Sequence, residues 1–346
     1  MEPNRRLAAV AGGVVVAVVA VAGGVWLADR GDSPAPTASS GTQPAGSTTS
    51  SPGGSSSTTT TPAATGATGT LVLDPDKNYG NEYADGILPV GDGKYVTDAA
   101  KQGSVFVCHV PAGGGGAFTR GPWFVNNNTE YDVNKKVAVS GTVKWDASGS
   151  MIVNGGSRVI NTNDLPLDHT TGVFPVAAND PAYQYDRNPN SIAAQSFTYT
   201  LAASPALLAT PGCIGGEVGI MTTGVALFDA FDAGGRDAGA WEVQDGCDGH
   251  PQNTYEYHYH TLSKCITDQS VSTVIGFALD GFPITGPKVG TNNILTTKDL
   301  DECHGITSAI QLDGKTVTTY HYVMTQDFPY SASCFRGTAT NPPGRG

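Results

Sequence analysis

The sequence predicts a mainly β domain, a sandwich or barrel-like arrangement of short strands with few short helices, set behind an N-terminal hydrophobic helix and a disordered linker. Three observations lead there. Short runs rich in β-branched and aromatic residues recur between Gly, Pro, Asn and Asp turns. No long stretch repeats its apolar residues with the 3.6 period of a helix. Residues 31–70 are almost entirely Ser, Thr, Pro, Gly and Ala, a composition that buries too little apolar surface to fold.

Taken in order, residues 1–30 read as a membrane anchor or a signal peptide. Leu7 to Ala28 carries no charge and follows Arg5 and Arg6, which hold the N-terminus inside. Ala20-Val21-Ala22 offers a cleavage site. The first alternative ties the chain to the cell membrane through residues 7–28. The second releases it as a secreted protein. Either way the rest lies outside the cytoplasm. Residues 31–70 form a tether with a reach of roughly 35 Å. Residues 71–337 are long enough for one large domain, and residues 338–346 read as a flexible tail.

Within the domain, strands are expected over residues 105–110, 136–144, 158–161, 197–201, 218–222, 225–228, 255–261, 274–279, 282–285 and 317–325. Thr296 or Thr297 is suited to cap a short turn through Asp301. Residues 218–225 and 275–282 align as strand, two-residue turn, strand, and would pack as pseudo-symmetric halves. Asp280-Gly281 suggests a type I′ turn.

The chain has 346 residues and a net charge of −12. Glu2, Asp29 and Asp32 balance Arg5, Arg6 and Arg30, so the whole excess of acid lies beyond residue 70. Such a surface argues against nucleic acid as a partner and against anionic lipid at the domain surface. All six cysteines, Cys108, Cys213, Cys247, Cys265, Cys303 and Cys334, lie in the domain, an even count in an exported chain that reads as three disulfides. Cys247–Cys265 would close a loop around the segment discussed next. Six cysteines allow 15 pairings; Cys303–Cys334, with Cys108–Cys213 as the remaining pair, would complete the expected set.

That segment is Tyr255-Glu256-Tyr257-His258-Tyr259-His260. In an extended strand its tyrosines fall on one face, and Glu256, His258 and His260 on the other. Two imidazoles two positions apart stand roughly 6.6 Å apart along the strand, close enough to lean onto one ion. His250 adds a third imidazole, and three with an open position suit Zn²⁺ or Cu²⁺. His321, in Tyr320-His321-Tyr322, repeats the pattern and is a further candidate ligand; His109, His169 and His304 are weaker ones. Glu256 is a candidate supporting partner or proton acceptor, and Asp280 a turn residue with a candidate site role. Gly-x-Ser-x-Gly, Gly-x-x-x-x-Gly-Lys and His-Glu-x-x-His motifs are all missing from the sequence, so no familiar hydrolase or phosphate site is indicated.

Tyr257-His258-Tyr259-His260 resembles the signature of the YHYH domain family of extracytoplasmic proteins. The likeness takes in Asp245-x-Cys247-x-Gly249-His250, Cys265, Gly276 through Ile284, Leu300 through Gly305, and Tyr320 through Gly337, roughly residues 213–337. His304 stands where such proteins are expected to carry Asn. The resemblance implies a secreted or membrane-tethered β-rich module and no settled activity, so the enzyme question stays open. Two readings follow: a membrane-tethered module that binds a transition metal through His258, His260, His250 and His321, and a metal-free structural or binding module that meets a cell-wall or surface partner.

Overall fold

The computed structural model describes residues 71–111 and 116–344. The expected hydrophobic helix and the tether lie outside the described residues. Among the described residues, no helix is long and apolar enough to cross a membrane.

The outer part of the domain holds β1 (Ile87–Pro89), β2 (Tyr95–Val96), β3 (Val105–Phe106), β4 (Phe124–Val125) and β5 (Glu130–Asp132). It also holds the three-stranded meander β6 (Gly149–Asn154), β7 (Ser157–Thr162) and β8 (Phe197–Ala202). The central sheet comprises β9 (Glu217–Met221), β10 (Ala226–Phe228), β11 (Gly249–Pro251), β12 (Tyr257–Tyr259), β13 (Val274–Ala278), β14 (Pro283–Thr285), β15 (Gly305–Leu312) and β16 (Lys315–Val323). Its order is β11-β12-β10-β9-β13-β14-β16-β15. The two ends do not meet, so the sheet is open and the layered alternative holds over a closed barrel. Helix is limited to single turns, among them α1 (Ala238–Trp241) and the 3₁₀ turn Thr297–Asp299. The second is held by the Asp299 carboxylate accepting from the Thr296 backbone N–H at 3.1 Å.

That strand order reads the same from both ends. β10 runs parallel to β12, and β14 parallel to β16; β11 is antiparallel to β12, and β15 to β16. The seam is the antiparallel β9–β13 pair, where Ile220 faces Phe277 and the flanking pairs Met221–Gly276 and Gly219–Ala278 exchange places about it. Reciprocal bonds close the seam: Thr222 N–H to Ile275 O at 2.8 Å, and Leu279 N–H to Val218 O at 2.9 Å. The short alignment visible in the sequence is therefore the centre of a repeat that extends over all eight strands.

The hairpins differ in detail from expectation. Each loop has three residues, Thr222–Gly224 and Leu279–Gly281. Gly224 and Gly281 take positive φ, 85° and 87°, while Asp280 does not, so the turn is not type I′. Residues 136–144 form no strand; Val139 and Val143 make only isolated bridges, to Asp245 and Thr171.

Strands β9, β10, β12 and β14 are buried at every position, which explains their nearly continuous apolar sequence. Ile220, Leu227, Phe277, Phe282 and Ile284 pack with Ile160, Tyr199 and Leu201 of the β7–β8 layer in one core. Trp123, Tyr131 and Trp241 centre a second core beneath α1. Arg158 is buried with its guanidinium 4.1 Å from the Phe277 ring centre and paired twice, at 2.8 Å, with Asp313. Three disulfides join Cys108–Cys213, Cys247–Cys265 and Cys303–Cys334, the expected set. Loops of 18 and 31 residues closed in this way contribute about 3–4 kcal/mol each by restricting the unfolded chain. Such bonds persist in an oxidising, extracellular setting. Beyond Gly337 the chain is still held at Thr340, which donates to Leu279 O at 3.0 Å.

Candidate metal centre

The turn that opens the site is built by Asp245. Its carboxylate accepts from the N–H groups of Cys247 at 2.9 Å, Gly249 at 3.3 Å and Gly172 at 2.8 Å, and from the Tyr257 hydroxyl at 2.9 Å. Asp248 takes a positive φ of 61°. Gly249 packs against the Tyr257 ring, where a Cβ would overlap the phenol. This turn lays β11 antiparallel to β12 and sets His250 directly opposite His258. Cross-strand partners share a face, and their ring centres stand 4.6 Å apart. The Cys247–Cys265 disulfide closes the loop that carries all three histidines.

The expected Tyr/His comb is shorter than its sequence. Tyr255 has φ 68° and is half exposed, so it belongs to the loop. Tyr257 and Tyr259 keep the tyrosine face, and His258 and His260 share the other. His258 Nε2 and His260 Nε2 are 3.2 Å apart. His258 Nδ1 lies 3.3 Å from Glu256 O, and His260 Nδ1 lies 2.5 Å from Asp229 O. A carbonyl oxygen only accepts, so the proton of each ring sits on Nδ1 and both Nε2 atoms present lone pairs. Two lone pairs facing each other at 3.2 Å are compatible with a cation between them. Burial is total, and it pushes the His260 imidazole down to about 4, against support from Asp229 O and Asp232. His250 is driven well below the usual histidine range, first by burial and then by His258 and His260.

Glu242, at the C-terminal end of α1, supplies a fourth group. Its Oε2 stands 3.3 Å from His250 Nε2 and 3.4 Å from His260 Nε2. Neither Oε2 nor His250 Nε2 has a properly aligned hydrogen bond, although both are buried. Bonds of about 2.0–2.1 Å to a tetrahedral ion put neighbouring donor atoms roughly 3.3–3.4 Å apart, close to the separations found. The Glu242 carboxyl is pushed well above its usual range, first by burial and then by Asp186 and Asp232, with Lys136 and Arg236 opposing. A dication would restore its charge. His250 differs from the other two rings: its Nδ1 faces the Asn188 amide nitrogen at 3.4 Å, and no carbonyl fixes its tautomer. The four groups line a cavity of about 680 Å³.

The remaining candidates lie elsewhere or act differently. His321 is not in the cluster; it sits five strands along the sheet, ~24 Å at about 4.8 Å per strand. Both its ring nitrogens are occupied, Nδ1 by Thr285 Oγ1 at 2.9 Å and Nε2 by Ser308 Oγ at 2.8 Å. Glu256 reaches the site through its backbone carbonyl, while its carboxylate accepts from Gln252 Nε2 at 2.5 Å. Asp280 holds the β13–β14 turn, accepting from Phe282 N–H at 3.1 Å and the Tyr322 hydroxyl at 2.6 Å. His304 bonds Thr325 Oγ1, and His169 bonds the Tyr259 hydroxyl and Asp168. His109 lines the cavity rim. Glu242 escaped sequence reasoning. Its signal was a lone acid inside the apolar run Ala238-Gly239-Ala240-Trp241-Glu242-Val243, which marks a buried carboxylate.

Residues 198–298 match the family model described as YHYH protein. No curated protein and no solved structure matches the chain. The match contains the β11–β12 pair, Glu242 and the three clustered histidines, and the chain therefore carries the domain of the YHYH proteins.

Proposed function

We propose that the chain is an extracytoplasmic metal-binding protein whose YHYH domain holds one Zn²⁺ or Cu²⁺ ion on Nε2 of His250, His258 and His260, with Glu242 as a fourth donor. The observation that carries this reading is the convergence of three buried histidines, with His258 and His260 fixed by carbonyls at Nδ1 and their Nε2 atoms 3.2 Å apart. The orphaned Glu242 Oε2 and His250 Nε2 support it, because buried polar atoms without partners are costly unless an ion completes them. Neutral imidazoles are the ligating form, and burial favours it at His250 and His260. An ion held this way at the floor of a cavity would supply Lewis acidity. Glu242 would be either a fourth ligand or a proton acceptor beside it.

The disulfides support display outside the cytoplasm. The charge-free run 7–28 after Arg5 and Arg6 supports tethering to the cell membrane through the 31–70 linker. The acidic surface supports a cation or a surface partner over nucleic acid.

Calorimetric titration of chelator-treated protein with Zn²⁺ and Cu²⁺ tests the metal. One equivalent is expected to bind. At a free metal concentration about a hundredfold above Kd it should stabilise the fold by about 2.7 kcal/mol. No uptake and no stabilisation by either ion would sink the proposal.

A further inference from the structure

The cavity above the histidines contains one charged group that the metal reading leaves unexplained. Arg187 lines it and is solvent-exposed. Its guanidinium stands 4.7 Å from the Phe118 ring centre and 5.4 Å from that of Tyr183. No carboxylate pairs with it among the described residues, although acids line the same cavity. Each nearby acid is directed elsewhere. Asp186 accepts from the N–H groups of Asn188 at 3.0 Å and Val243 at 3.1 Å. Asp229 accepts from Gly216 at 2.7 Å and Phe231 at 2.9 Å. Asp232 pairs with Arg236 at 2.6 Å. These carboxylates hold backbone turns and an ion pair, and leave Arg187 uncompensated.

Contact with ring faces restrains a guanidinium and uses only its π surface. The N–H groups around its edge stay available, in a fork that fits an oxyanion. A restrained, unpaired arginine at the mouth of a cavity whose floor converges on an ion is the arrangement of a two-point site. We propose that Arg187 anchors an oxyanion group (carboxylate, sulfate or phosphate) on the molecule that this cavity takes, while a second donor of that molecule meets the metal. The inference rests on the metal reading and adds to it the chemical class of the ligand.

The test uses the full chain loaded with Zn²⁺ and calorimetry with acetate, with straight-chain dicarboxylates from succinate to suberate, and with sulfoacetate and phosphonoacetate. Acetate, with one carboxylate, reports a single-point contact. At least one two-ended anion should bind about tenfold tighter than acetate or better, and the sulfo and phosphono arms tell which oxyanion is preferred. Arg187→Gln should abolish that advantage while zinc content stays at the wild-type level, and Arg187→Lys should recover part of it. Absence of any advantage in the wild type, or its survival in Arg187→Gln, overturns the inference. If the wild type retains no zinc, the metal reading fails by itself. The arginine is then judged on the metal-free chain with sulfate: binding that Arg187→Gln abolishes supports the anchor, and binding that is equal or undetectable in both refutes it.

Discussion

On one side of the pseudo-dyad β12 carries Tyr257, His258 and Tyr259; on the other, β16 carries Tyr320, His321 and Tyr322. The supports match. Tyr257 donates to Asp245 and Tyr320 to Asp301, and each aspartate also accepts from the cysteine and the glycine that follow it. Gly249 and Gly305 both lie against the ring of their tyrosine, and Asp248 and His304 both take positive φ before them. The disulfides Cys247–Cys265 and Cys303–Cys334 occupy equivalent places.

The difference is confined to what surrounds the central histidine. His250 opposes His258, whereas Ile306 opposes His321. His260 follows Tyr259, whereas Val323 follows Tyr322. Two serine and threonine hydroxyls then complete His321, while His258 is left to face His260. One half closes its histidine with two hydroxyls, and the other gathers three histidines. The Tyr/Asp/Gly framework is thus a device for holding a histidine in a buried sheet, and the three-histidine cluster depends on the two residues added beside it.

The comparison breaks most readily at the histidines themselves. His260→Ala should lower metal affinity by two orders of magnitude or more, by removing one of a few ligands, and leave the fold intact. His321→Ala should leave metal stoichiometry unchanged and destabilise the domain by about 2–4 kcal/mol, through a cavity and two orphaned hydroxyls. Metal content and chemical denaturation of the two variants check both statements; equal metal loss in the two would erase the distinction.

The disulfides give the next contrast. Replacing Cys247 and Cys265 together, or Cys303 and Cys334 together, should each cost about 3–4 kcal/mol in denaturant unfolding. Only the first pair encloses the histidines, so only its loss should also weaken metal binding in calorimetry.

Glu242→Gln sharpens the picture with a smaller effect. Affinity should fall about 10–100-fold, as for a removed supporting carboxylate, with little change in stability. Titration followed by calorimetry at constant pH reads this directly.

Protonation provides the finest comparison. His260 and His321 both lie at about 4, held neutral chiefly by burial. Their folded values lie below the unfolded value of about 6.5, so the unfolded chain takes up protons first and each contributes stability that is lost as pH falls from about 6.5 toward 4. Imidazole NMR resonances should follow this course for both in the metal-free protein. Added Zn²⁺ should shift His260 and leave His321 in place.

Much of this organisation was legible in the residues. Period-two alternation placed His258 and His260 on one face, and the even cysteine count pointed to three disulfides, with the pairing left open among 15. The repeat at residues 218–225 and 275–282 pointed to the dyad. What stayed hidden was long-range or context-dependent. β6 and β15 begin in Gly, Ser or Thr and are specified by the neighbour they pair with, β7 and β16. Val139 looks like a strand residue but finds only one backbone partner at Gln244. His321 shares the Tyr-His-Tyr triplet of His258; Ile306 in place of His250 across the strand, and Val323 in place of His260, set the two surroundings apart. Glu242 enters through the placement of a single helical turn, which no local pattern encodes.

The most direct test of the account is X-ray absorption at the metal edge of the protein loaded with one equivalent of Zn²⁺, compared with His250→Ala. The account predicts about three imidazole nitrogens at roughly 2.0–2.1 Å with one oxygen donor, and the loss of one nitrogen in the variant. A spectrum with oxygen donors only, unchanged by the substitution, would contradict it.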